Sequence, residues 1–345
     1  MRKFTATVLV FLLIPAVALS GCVQSSYGKD DKISVICTIF PLYDWVRQIT
    51  ENQTENIDLT LLSANLTDLH NYQPSVDDIV RISGCDLFIH VGGESDGWVD
   101  DALKQATNKN MVVINLLDIL GDAVKIEEII EGMETGEAGS GKHNAGDVRN
   151  AGGNDGIADI DGGSETDYDE HIWLSLRNAQ VSCSVITEAL SSMDAGNADI
   201  YGSNCIEYSE KLSNLDSEYR AVINTAPVRI LLFADRFPFR YLTDDYGLSY
   251  YAAFQGCSAE TEVSFGTIIF LMKKLDELDL SKIMVTESSD KKLAETIIRE
   301  SNSNDRQILV LDAMQSVSSK DLANGVTYLS IMESNLNVLK EALGG

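Results

Sequence analysis

Beyond its first twenty or so residues the sequence has no apolar run long enough to cross a membrane as a helix. It has no C-x-x-C pair, which excludes the common zinc ribbons and dithiol redox sites. G-x-S-x-G, H-E-x-x-H, P-loop and G-x-G-x-x-G patterns are all missing, which argues against the common hydrolases and nucleotide enzymes. Positive charge is scarce. Against 53 Asp and Glu stand 26 Lys and Arg, a net charge of −27, so nucleic acid and anionic lipid are repelled. That excess is accounted for by solubility outside the cell, and charge alone does not make a metal site. Histidine is rarer still: there are four, so each can be weighed singly.

What is present begins at the N-terminus. Arg2 and Lys3 precede an almost wholly apolar stretch from Val8 to Leu19, the pattern of a secretory leader rather than a stable span. It ends in Leu19-Ser20-Gly21-Cys22, which resembles the lipobox of bacterial lipoproteins, where the cysteine is diacylated. The expectation is a leader over 1–22, a tether over 23–32, and an extracytoplasmic chain anchored to a bacterial cell membrane through lipid on Cys22. Each buried methylene of such a lipid contributes about 0.8 kcal/mol. Cys37, Cys85, Cys183, Cys205 and Cys257 remain, an odd number with no close pair. Cys37 and Cys85 lie in apolar, strand-like contexts and read as small buried residues. No disulfide is assigned.

The remainder, long enough for two domains, alternates strand-like and helix-like stretches. Strands are expected over Ile33–Ile39, Ile57–Leu62, Leu87–Val91 and Met111–Leu116. Helices are expected from Pro41, over Pro74–Ile82 and over Trp98–Ala106. The forty residues Glu131–Glu170 break the pattern with ten Gly, eleven Asp or Glu, and only Lys142 and Arg149 as cations. Such a composition cannot build a core, so the segment is expected to be a flexible loop dispensable for folding. Helices follow over Leu176–Met193 and, unusually long, over Asp199–Asn224. The theme then repeats. Strands are expected over Val228–Phe233, Ser249–Phe254, Lys282–Thr286 and Ile308–Leu311, and helices over Arg236–Asp245, Ser264–Leu278, Asp290–Ser301 and Val326–Leu343. The order implies an α/β protein of two doubly wound lobes with parallel-rich sheets, 33–196 and 227–345, joined by one long connector helix over 197–226. A cleft between lobes is a common ligand site.

His70 lies after the second strand and before a Pro-started helix, where ligands of open α/β sheets bind. His171 stands where the acidic segment returns to ordered chain, anchored by Trp173 and Leu174. Read singly, each is as consistent with an ordinary loop residue as with a ligand. His90 ends a strand and reads as a partly buried strand residue. His143, in the acidic segment, reads as solvated. Neutral imidazole with carboxylate suits zinc and other first-row divalent ions.

At these motifs the chain resembles the zinc- and manganese-binding solute-binding lipoproteins of bacterial ABC importers, also called adhesin lipoproteins. The resemblance rests on Thr38-Ile39-Phe40-Pro41-Leu42-Tyr43-Asp44-Trp45-Val46, on Asp68-Leu69-His70-Asn71-Tyr72-Gln73-Pro74-Ser75, and on Asp169-Glu170-His171-Ile172-Trp173-Leu174-Ser175. It implies capture of a divalent transition metal, zinc first and manganese as the alternative, between the lobes by His70 and His171. It implies delivery to the membrane permease of an ABC importer, by a monomer, with no nucleic acid partner. It also implies Asp312 as a late ligand. Where relatives carry His or Glu after the strand that opens the second lobe, this chain has Ala234, and Glu262 (or Glu260) is the candidate replacement. On that basis Ala234→His is expected to tighten zinc binding. A zinc hydrolase would need a general base that nothing in the sequence marks, so no enzyme is expected. A surface adhesin with a degenerate metal site is the remaining alternative.

Overall fold

A computed structural model describes residues 32–51, 55–64, 70, 72–134, 168–258 and 262–344. The leader, Cys22, nearly all of the tether, His143 and Glu260 lie outside the described residues.

The first half builds β1 (Ile33–Cys37), α1 (Phe40–Ile49), β2 (Ile57–Leu61), α2 (Val76–Gly84), β3 (Leu87–His90), α3 (Val99–Lys104), β4 (Val112–Asn115) and α4 (Leu116–Leu120). Its four strands are all parallel, in the order β2-β1-β3-β4. A central parallel strand is covered on both faces, and accordingly Leu87, Phe88 and Ile89 are each fully buried. Helix α2 starts where Ser75 accepts the Asp78 N–H and Asp78 accepts the Ser75 N–H in return, a reciprocal cap.

Helices α5 (Leu176–Met193) and α6 (Ala198–Thr225) follow. At 28 residues α6 is about 42 Å long. Tyr201, Tyr208, Leu212, Leu215 and Tyr219 form its buried stripe. The second half is β5 (Ile230–Phe237), α7 (Arg240–Tyr246), β6 (Ser249–Gln255), α8 (Phe265–Glu277), β7 (Lys282–Thr286), α9 (Lys292–Glu300), β8 (Gln307–Leu311), α10 (Ser319–Ala323) and α11 (Tyr328–Leu343). Its sheet, β6-β5-β7-β8, is parallel and repeats the spatial order of the first.

The helix expected from Arg236 begins instead at Arg240. Strand β5 runs on to Phe237 through a register shift between Phe233 and Arg236. Pro238 disfavours helical backbone at the residue before it. Phe237 and Phe239 then pack on Phe233, with ring centroids 5.1 and 5.3 Å away.

The two halves share one apolar core that reaches from Val35 to Leu343. The last helix, α11, returns to the first. The Tyr328 N–H donates to Asp44 Oδ2 at 2.8 Å, and Tyr219 donates to the Met332 carbonyl at 2.6 Å. A strap over 124–134 also crosses to the second sheet, where the Glu134 N–H donates to the Ala253 carbonyl at 2.8 Å. Tyr241 accepts the Lys125 N–H and donates to the Asp169 carbonyl. Within the segment Glu131–Glu170, residues 131–134 and 168–170 are built into the fold, and 135–167 lie outside the described residues.

Candidate metal centre

The polar groups of the cleft come from the carboxyl ends of parallel strands, as open α/β sheets predict. His70 follows β2. Ser95 follows β3, beyond Gly92 and Gly93. Cys257 follows β6, and Gln315 follows β8. His171 caps the single 3₁₀ turn Ile172–Leu174 that leads into α5.

His70 Nε2 and His171 Nε2 lie 3.2 Å apart. Two nitrogens bound tetrahedrally to one zinc at 2.0–2.1 Å would be separated by about 3.3 Å. The opposite ring nitrogens are tied down. His70 Nδ1 is 2.7 Å from Ser95 Oγ, and His171 Nδ1 is 3.0 Å from Asp169 Oδ1. With Nδ1–H donating to those oxygens, each Nε2 is left with its lone pair, and the two stand 3.2 Å apart. That second-layer hydrogen bonding orients metal-binding imidazoles generally. Gln315 Nε2 lies 2.7 Å from His171 Nε2 and 3.2 Å from His70 Nε2. Cys257 completes a group in which one donor atom each from His70, His171 and Cys257 all lie within 4.8 Å of one another.

The setting around His171 is buried and acidic. His171 is fully buried, and Glu170 and Asp169 nearly so. Burial alone would lower the His171 pKa, but Asp169, Glu170 and Glu127 outweigh it, and the net shift is upward. Burial raises Glu170 to about 7 in spite of the hydrogen bond its Oε1 accepts from the Ser95 N–H at 2.8 Å. Its Oε2 sits 3.8 Å from His70 Nδ1. Gly93, at φ 82°, leaves room for this carboxylate, since a Cβ there would fall 2.4 Å from Glu170 Oε1. Burial, with Glu127, Glu170 and Asp169 near by, holds the Cys257 thiol well above its ordinary range.

Glu170 gives a signed pH prediction for the metal-free protein. Its folded pKa lies above its unfolded value, so the folded state is favoured while the group is protonated in both states. As pH rises from about 4.3 toward 7 the unfolded chain ionises first, and stability falls. In chelator, Glu170→Gln should therefore gain stability over wild type between pH 5 and pH 8. The check is urea melting at both pH values, and a gap that does not widen with pH would contradict the shift.

The other residues expected at the site fall elsewhere. Asp312 is not in the group around the imidazoles. Its Oδ1 accepts the Met314 N–H at 2.7 Å, and Asn335 pairs with its backbone N–H and carbonyl. Burial and the Glu287 carboxylate raise its pKa to about 7. Asp312 and Glu287, which accepts the Ala313 and Gln315 N–H groups, shape the loop that presents Gln315. Glu262 is exposed and also outside the group. Ala234 is buried with Leu232, Ala253, Leu271 and Val285 in an apolar cluster of the second half. An imidazole there would be forced into that cluster, so the expectation that Ala234→His tightens zinc is replaced. The substitution should overpack the cluster, at a cost of about 1–3 kcal/mol, with no gain in metal affinity; calorimetry and a zinc titration check both parts. His90 belongs to a separate buried pair with Asp96 at 3.2 Å and stacks on Phe88.

Sequence reading missed Cys257 and Gln315. A usable signal existed for the first, because Gly256-Cys257 follows a strand end just as His70 does. A Cβ at Gly256 would lie 2.9 Å from His171 Cε1 and 2.9 Å from the Phe237 carbonyl, so glycine lets the Cys257 turn lie against the ring.

The family described as ZnuA, zinc-uptake complex component A, periplasmic, matches residues 35–342. The chain belongs to this family. It is 27% identical over 333 residues to the high-affinity zinc uptake system protein ZnuA of Bacillus subtilis, covering 96% of this chain and 94% of that one. It is 26% identical over 334 residues to the zinc-binding lipoprotein AdcA of Streptococcus pneumoniae, covering 96% of this chain but only 60% of that longer protein. The crystal structure of the metal-dependent lipoprotein YcdH from Bacillus subtilis superposes with a TM-score of 0.68 at 25% identity, covering 91% of this chain and all of that one. The two parallel sheets thus form the α/β architecture of ZnuA-like proteins, which are solute-binding components of transport systems and not enzymes.

Proposed function

We propose that this chain captures Zn²⁺ in the cleft between its two sheets and hands it to the permease of an ABC importer. The observation that carries the reading is the pair of imidazole Nε2 atoms 3.2 Å apart, each with its Nδ1 held by a hydrogen-bond partner. Zinc is the cargo here, not a resident catalyst. Neutral nitrogen donors suit zinc better than manganese, which prefers carboxylate and water oxygen. Asp169, Glu127 and Glu170, the last as it ionises above about pH 7, set carboxylates near His171 that draw a cation inward. His70 and His171 bind the ion, while Ser95 and Asp169 position them. The chain acts as a monomer, held at the outer face of the cell membrane by lipid on Cys22.

The test is a competition titration of the purified chain against a chromogenic zinc chelator. One tight equivalent per chain is expected. The absence of any equivalent that competes with the chelator would end this reading.

A further inference from the structure

Cys257 is the one cysteine among the described residues that groups with two imidazoles, its sulfur within 4.8 Å of a ring nitrogen of each. It is not in a disulfide, and it is half-buried, whereas Cys37, Cys85, Cys183 and Cys205 are buried. Its turn is held from three sides. The Cys257 N–H donates to Glu127 Oε1 at 2.8 Å, so the strap that crosses between the sheets fixes its backbone. Gly256, which has no side chain, lies against His171 and the Phe237 carbonyl. Gln255 closes the β6 register opposite Phe237. A thiol kept there for packing alone would need neither the two imidazoles nor a carboxylate gripping its own backbone.

We infer that Cys257 binds the captured ion through its sulfur as the third protein ligand, which makes this a two-nitrogen, one-sulfur site selective for thiophilic cations. The inference rests on the zinc-capture reading above and deepens it. As the metal–sulfur bond forms, the thiol proton leaves to solvent; no oxidant or reductant is involved. Thiolate favours Zn²⁺ and softer ions over Mn²⁺, Mg²⁺ and Ca²⁺. The protein's selectivity thus resides in one sulfur, with no carboxylate among the three donors. Gln315, a neutral amide against both imidazoles, adds no charge that would draw a hard cation.

The experiment uses the reduced full-length chain and Co²⁺ as a spectroscopic stand-in for zinc. Wild type with one equivalent of Co²⁺ should show visible d–d bands together with a near-ultraviolet sulfur-to-cobalt charge-transfer band. Cys257→Ser should lose the charge-transfer band and bind Cd²⁺ at least tenfold more weakly. Its melting temperature without metal should stay near that of wild type. Zinc X-ray absorption on wild type needs no variant and should show a sulfur shell at about 2.3 Å. One bound ion with no charge-transfer band, a band that survives Cys257→Ser, or a zinc shell of nitrogen and oxygen only would each overturn the inference and leave capture by the histidines standing. Failure of wild type to bind either ion would instead remove the zinc-capture reading and this inference with it.

Discussion

His171→Ala should weaken zinc binding at least a hundredfold, about 2.8 kcal/mol. His171 is fully buried, so its ring is already free of competing water and rigidly placed. Its Nδ1 is committed to Asp169 at 3.0 Å, which leaves Nε2 with no role other than acceptor or ligand. Alanine removes the ligand atom and one of the two hydrogen bonds that Asp169 Oδ1 takes from His171, keeping only the one from the backbone N–H. His70→Ala should act in the same direction and somewhat less, because His70 is partly exposed and water can enter its place. Isothermal titration with zinc separates the cases. If both variants bind as tightly as wild type, the cleft is not the site.

The largest expected loss of stability is at Trp173. Trp173→Ala should destabilise the fold by about 3–5 kcal/mol, the usual range for emptying a buried aromatic site. Trp173 is 1% exposed and packs at 5.2 Å on the His171 ring. Its Nε1 donates to the Ala313 carbonyl at 2.9 Å, and its own carbonyl accepts the Tyr328 hydroxyl at 2.6 Å. The indole thus ties the His171 turn to the loop that carries Gln315, while the backbone carbonyl of the same residue ties it to α11. Removing the indole leaves a cavity and a buried carbonyl without its donor. Chemical denaturation should report the loss, with zinc affinity falling as well. A change below about 1 kcal/mol would show that the site can collapse around the missing ring.

Much of this is legible in the sequence alone. Apolar runs of strand length and helical 3–4 spacing locate nearly every element, and α5 and β7 begin and end where the pattern places them. The first turn of α7 was misplaced because Arg236-Phe237 reads as helix until Pro238 and the packing of three phenylalanines are taken together. His70 and His171 stand in local motifs, and the fold brings them together. For Cys257 the only signal was its place just after a strand end, which does not by itself mark a ligand. Its meaning depends on the turn after β6 lying beside a residue far away in sequence. Asp312 illustrates the opposite difficulty. The resemblance marks an acid after the last strand, but Asp312 turns one carboxylate oxygen to the Met314 N–H and is not in the group around the imidazoles. The group that meets the imidazoles lies further along that loop, at Gln315. Spacing along a loop does not fix which side chain turns inward.

The measurement that bears most directly on zinc capture is a crystal structure of the zinc-loaded chain, with an anomalous difference map collected at the zinc edge. A single strong peak about 2.0–2.1 Å from both His70 Nε2 and His171 Nε2 is the predicted result. A peak bound elsewhere, with neither imidazole within ligating distance, would contradict the account.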